Sequence, residues 1–191
     1  MKKIISVVLV VACVCMLFAC GADTKDFQSA VEQTSPNKVI ITTETVTEGL
    51  GTLKGNYSIT YKSDGSAIIK YSYQEWNTVS ADNIPEQPYT TYSDTVRMDA
   101  DGNYDDDNFS GVADLGEISL DLAAIKGDVT VSEDGNILTA TVGKDNTKAV
   151  FGVEYGYDIE LTVTKGTKSL EAMALKYVSG VHTVSVKFEF D

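Results

Sequence analysis

The stretch Asp99-Ala-Asp-Gly-Asn-Tyr-Asp-Asp-Asp-Asn108 gathers oxygen-bearing side chains at close spacing. From Asp82 to Asp121 there are eleven acidic residues and one cation, Arg97, the only arginine in the chain. Calcium takes oxygen ligands, and alternate positions of a tight loop supply them. Asp99, Asp101, Asn103, Asp105 and Asp107 alternate in that way, so calcium is the one cofactor the sequence suggests. Counted from Asp99, an EF-hand loop would place glycine where Tyr104 stands and a bidentate acid where Ser110 stands. The other reading is a hairpin turn at Asp101-Gly102 beside a solvated acidic run. The chain repeats that turn at Asp64-Gly65 and Asp134-Gly135.

Signs of catalysis are sparse, and the expectation is a protein that is not an enzyme. His182, the only histidine, shares its strand phase with Val184 and Val186, which suits a packed or edge residue. No G-x-S-x-G is present to form a nucleophile elbow. Gly49 to Gly55 is glycine-rich but lacks the G-K-[ST] ending and following helix of a phosphate loop, so it reads as a turn. The acidic residues leave a carboxylate-pair hydrolase as a third-ranked reading, because their separation in space is not a sequence property.

Aromatic residues form a second constellation. Tyr57, Tyr61, Tyr71, Tyr73 and Trp76 fall close together, and Tyr89 and Tyr92 follow. Tyrosine suits surfaces that are apolar along the ring and polar at the tip. Tyr71 and Tyr73 read as sheet core or cross-strand pairs; Trp76, Tyr89 and Tyr92 stay open between that reading and ligand contact.

The N-terminus carries the most specific signal. Lys2-Lys3 precedes an apolar run from Ile4 to Ala19, too short for a spanning helix of about 20 apolar residues. Leu17-Phe-Ala-Cys20 followed by Gly21 resembles the lipobox of bacterial lipoproteins. The resemblance implies removal of residues 1–19, a diacylglycerol and palmitate-type acylation at Cys20, and a membrane anchor on the extracytoplasmic face. Two acyl chains make such an anchor stable, since each buried methylene contributes about 0.8 kcal/mol. Cys13 and Cys15 would leave with the signal, so the domain would hold neither a disulfide nor a thiolate metal site. Loss of Lys2 and Lys3 moves the net charge from -13 to -15. A chain so acidic repels phosphate backbones, which excludes nucleic acid as a partner.

The elements that must position these residues follow in order. Residues 20–26 form a lipidated tether and 27–191 a single β-rich domain. Asp23 or Thr24 would cap a helix whose apolar face is Phe27, Ala30, Val31 and Thr34, ended by Pro36. Strands are expected at Val39–Thr47, through Tyr57, Ile59 and Tyr61, and from Ala67 to Tyr73, the last two joined at Asp64-Gly65. Ser80–Tyr92 reads as a long loop, with a strand and turn expected in Asp94–Tyr104 and a short helix from Ser119. Val129–Val131 and Ile137–Thr141 flank the turn at Asp134-Gly135. Ala149, Phe151, Val153 and Tyr155 alternate as a strand, as do Tyr157, Ile159, Leu161 and Val163. Leu170–Tyr177 and Val181–Phe190 close the chain as a pair. The fold class is mainly β with an N-terminal helix: a curved antiparallel sheet (half-barrel) of about eight strands with one or two short helices.

This order resembles the Lol-type lipoprotein-carrier half-barrel family, on Phe27-Gln-Ser-Ala-Val31, the strands from Val39 through Tyr73 and the hairpin Leu170 to Phe190. The resemblance implies helices over the concave side of the sheet and a hydrophobic cavity between. Lipid or another hydrophobic ligand would then meet Phe27, Val31, Ile59, Ile69, Phe151 and Leu161, with Trp76 added to the set. The leading expectation is thus a lipid-anchored, non-catalytic binding protein. The alternative is an acidic surface module for structure or adhesion, with calcium at Asp99–Asp107.

Overall fold

The computed structural model describes residues 24–77, 88–106 and 119–191. The segment expected to be a signal peptide, Cys20, residues 80–87 of the expected loop and Asp107 lie outside the described residues. Helix α1 covers 24–33, so it already includes part of the stretch expected to be tether. Nine strands follow: β1 (Lys38–Thr47), β2 (Gly51–Tyr61), β3 (Ala67–Trp76), β4 (Tyr89–Met98), β5 (Val129–Val131), β6 (Ile137–Val142), β7 (Ile159–Lys165), β8 (Leu170–Ser179) and β9 (His182–Phe190). They form one open antiparallel sheet in the order β4-β3-β2-β1-β9-β8-β7-β6-β5. Two meanders, β1–β4 and β5–β9, are thus joined side by side through β1 and β9. The chain's first and last strands pair from Val39 opposite Phe190 to Thr47 opposite His182.

Alternation decides which face is buried. In β1 the β-branched run KVIITTETVT turns Val39 and Ile41 to one face, where Ile59 of β2, Ile69 of β3 and Val96 of β4 lie in register. Across β1 the same face carries Phe188 of β9, Met173 of β8, Val163 of β7 and Leu138 of β6. All of these core-face residues are buried. The outer face carries Ser58, Lys70 and Thr95 in one row.

Helix α1 covers part of the core face because its own apolar positions recur at helical spacing. Phe27 and Ala30 are buried, and Val31 packs beside them. The Thr34 hydroxyl donates to the Ala30 carbonyl (2.7 Å) and accepts from the Leu170 N–H (2.9 Å), fixing the helix end to the start of β8. The Gln28 side-chain oxygen accepts from the Leu122 N–H at 2.8 Å. Lys165 places its ammonium 5.0 Å from the Phe27 ring centroid, within cation–π range.

Three sequence expectations change. Tyr89–Tyr92 belong to β4 rather than to a loop. Ala149–Phe151 are helical: Lys144–Asn146 make a 3-10 turn that runs into helix α2 (Thr147–Phe151). The cause is Gly152, whose φ of +74° closes the helix, so that Phe151 enters the core from a turn and not from a strand. The short helix expected from Ser119 is a 3-10 turn at Leu122–Ala124, capped by the Asp121 side chain accepting from the Ala123 N–H (3.0 Å).

Candidate functional site

The residues expected to line an apolar cavity lie together. Phe27, Ile59, Ile69, Phe151 and Leu161 belong to one buried cluster, and Val31 packs against it. None of the five is more than 4% exposed. They fill the space between α1, α2 and the sheet with their own side chains. Trp76 is separated from them. It lies opposite Tyr89 and shares the outer-face phase of Ile68 and Lys70. Its ring edge stands 3.4 Å from where a side chain on Gly51 would begin.

Towards β4 the core face changes character. Tyr57 lies opposite Tyr71, and Tyr73 opposite Tyr92. Their rings form a continuous ladder, with centroids 6.4 Å apart for Tyr57–Tyr71, 6.0 Å for Tyr71–Tyr73 and 5.3 Å for Tyr73–Tyr92. The planes are tilted by only 25° to 27°. Tyr57, Tyr71 and Tyr73 are half-buried, and Tyr92 is 44% exposed. Burial pushes the Tyr57 phenol above its ordinary value, and the neighbouring phenols of Tyr73 and Tyr71 add to the shift. Tyr71 is raised by loss of water contact and then by the carboxylates of Asp94 and Asp106.

The sequence signal for this ladder was half visible. Tyr57, Tyr71 and Tyr73 alternate around a plain hairpin. Tyr92 was obscured because the prolines at Pro85 and Pro88 mask the start of a strand, although Thr90, Thr91, Thr95 and Val96 are strand formers.

The acidic turn is bound to its own backbone. Asp99 accepts from the N–H groups of Asp101 (2.9 Å) and Asn103 (2.8 Å) and from the Asn103 amide. Those bonds, the Asn103 side chain first, hold its carboxyl below the usual range. Asp105 accepts from the Arg97 N–H (2.7 Å) and pairs with its guanidinium at 3.6 Å. Asp101 is exposed at the tip. Asp64 and Asp134 are lowered in the same way, chiefly by Ser66 and Ser132. Among the described residues no group of three His, Cys, Asp or Glu side chains is placed to hold a metal.

His182 begins β9 with Nδ1 2.9 Å from the hydroxyl of buried Thr47. Among the described residues no helix is long and apolar enough to cross a membrane. Comparisons with protein families, with curated proteins and with solved structures find no match to this chain.

Proposed function

We propose that this chain is a non-catalytic lipoprotein, anchored through Cys20 on the extracytoplasmic face of a membrane, that binds a lipid or another amphipathic ligand on the tyrosine-lined part of its sheet. The tyrosine ladder on the core face carries the reading. Four partly buried rings continue the apolar wall of Ile59 and Ile69, and the phenols of Tyr57, Tyr73 and Tyr92 add polar atoms to it. A ligand with an apolar body and polar oxygens matches both. The rest of that face is occupied by Phe27, Phe151 and their neighbours, so ligand contact belongs to the ladder.

The anchor follows from Leu17-Phe-Ala-Cys20. Only residues 21–23 separate Cys20 from the first helical residue, a reach of roughly 14 Å at full extension. The domain would stay close to the bilayer from which a lipid would come. The non-catalytic reading rests on the chemistry in view. The single histidine bonds a threonine, and the shifted carboxylates are exposed turn caps held ionised. For the calcium-dependent adhesive alternative, the described carboxylates of Asp99 and Asp105 are already engaged within their own turn, and no observation favours it.

Residues 20–191 carrying Cys20→Ser, purified without detergent, are expected to hold a co-purifying mass in the lipid range in native mass spectrometry. Tyr73→Ala should reduce its occupancy by about tenfold, the scale of one or two aromatic contacts of about 0.5–1.5 kcal/mol each. A protein that emerges bare, with or without added calcium, overturns the ligand reading.

A further inference from the structure

We infer that the tyrosine ladder takes a cationic amphiphile, a quaternary ammonium head on an apolar body, with the head seated at the Tyr92 end beside Asp94. The inference rests on the ligand reading given above and adds the charge of that ligand.

The charges of strands β2 to β4 are sorted by face. Alternation puts Glu75 and Asp94 in phase with Tyr71, Tyr73 and Tyr92, with Asp94 directly opposite Tyr71 and Glu75 opposite Thr90. Lys54, Lys70 and Arg97, the cations of these strands, all alternate onto the outer face. The ladder's own face of β2 to β4 therefore carries negative charge and no positive one. Beyond loss of water contact, it is the charges of Asp94 and Asp106 that raise the Tyr71 phenol, so both carboxylates act on the ladder.

The rings supply the other half of the site. The quadrupole of an aromatic ring attracts a cation placed over its face. Tyr92 ends the ladder: Tyr73 stacks on it at 5.3 Å, and it remains 44% exposed. Tyr92 and Asp94 stand two residues apart on one strand face, a spacing of about 7 Å, so one ammonium head can touch ring and carboxylate together. A quaternary ammonium has no N–H to satisfy, and aromatic faces suit it for that reason. From Tyr92 the half-buried rings of Tyr73, Tyr71 and Tyr57 lead towards Ile59 and Ile69, a track for the apolar body. An anionic head would meet Asp94, Glu75 and Asp106 with no cation to offset them. A metal ion fits less well, because it needs several oxygen ligands together and the described residues form no such group.

The full chain, extracted from membranes in a polyoxyethylene detergent, would be titrated calorimetrically with hexyltrimethylammonium, 1-hexanol, hexyl sulfate and choline, with the heat of entry into protein-free micelles subtracted. Hexyltrimethylammonium is expected to bind with a Kd of about 1 mM or below, at least about tenfold tighter than each of the other three. Asp94→Asn keeps a side-chain oxygen for the Thr95 N–H and should weaken the cation at least about threefold, leaving 1-hexanol unchanged. Tyr92→Leu should weaken it about fivefold, and Tyr92→Phe, which keeps the ring, should not. Both side chains are exposed, so the fold does not depend on them. The inference is overturned if 1-hexanol, hexyl sulfate or choline binds as tightly as hexyltrimethylammonium, or if Asp94→Asn and Tyr92→Leu leave the cation's affinity unchanged. Preferred binding of 1-hexanol or hexyl sulfate that is lost in Tyr73→Ala would overturn the charge assignment while the ligand reading stands. No heat from the cation at about 10 mM overturns the inference as well, and co-purifying lipid in native mass spectrometry then decides the ligand reading separately.

Discussion

Tyr57 can lean over the backbone of its own strand because residue 55 has no side chain. A Cβ at Gly55 would stand 3.2 Å from the Tyr57 ring and 2.5 Å from the Thr43 hydroxyl. Gly55→Ala must displace both, and the first ring of the ladder moves with them. The expected cost is about 1–3 kcal/mol, as for other overpacked sites. It should appear as a lower urea midpoint with an unchanged slope. The phenols also make stability depend on alkaline pH. Tyr57, Tyr155 and Tyr177 are all raised above 10.0, with burial the largest cause in each. The folded state thus keeps protons that the unfolded state has released. Stability from these groups is complete below the ordinary phenol value and is lost as pH rises through the raised ones. The melting temperature should hold steady up to about pH 10 and then fall, with the native tyrosine absorbance titrating later than that of urea-unfolded protein.

At the scale of elements, helix α2 shows why part of the fold was hidden. Ala149, Phe151, Val153 and Tyr155 alternate perfectly for a strand, and five helical residues are too few to display a period of 3.6. What decides the local fold is a buried threonine. The Thr147 hydroxyl donates to the Lys144 carbonyl and accepts from the Tyr155 N–H, both at 2.9 Å, closing the loop around Gly152. Helix α1 was legible because it has a full apolar stripe and a proline stop. The β2–β3 hairpin was legible through Asp64-Gly65. The contact of Tyr73 with Tyr92 was not, because it needs the register of a strand whose start follows two prolines. Tyr157 and Tyr177 meet only once β7 and β8 are paired, which no local pattern announces. Phe151 is fully buried and packs edge-on against Tyr155 at 5.8 Å. Phe151→Ala should cost about 3–5 kcal/mol in chemical denaturation. Thr147→Val should cost about 1–3 kcal/mol by leaving the Tyr155 N–H without its partner.

For the whole molecule, the decisive contact is the most distant in sequence. The sheet has two open edges, and both are blunted. β5 has three residues, and along β4 the Thr95 and Arg97 N–H groups are taken by the Asp94 and Asp105 carboxylates at 2.7 Å. The centre, by contrast, exists only when β9 lies beside β1. Removal of residues 188–191 deletes buried Phe188, its pairing with Ile41, and the Asp191 carbonyl that accepts from the N–H groups of Asn37 and Lys38. Such a chain is expected to lose its cooperative thermal transition and its near-ultraviolet dichroism. A truncated protein that still melts sharply would show that the β1–β4 and β5–β9 meanders stand independently.

The same seam sets how the protein responds to force. Val39 and Phe190 lie opposite each other, so the chain enters β1 and leaves β9 at the same end of an antiparallel pair. Tension between them loads one rung of hydrogen bonds at a time, as in opening a zipper, and never shears the whole ladder at once. The sheet is soft along that direction, and β1 and β9 peel apart while the flanking meanders stay unloaded.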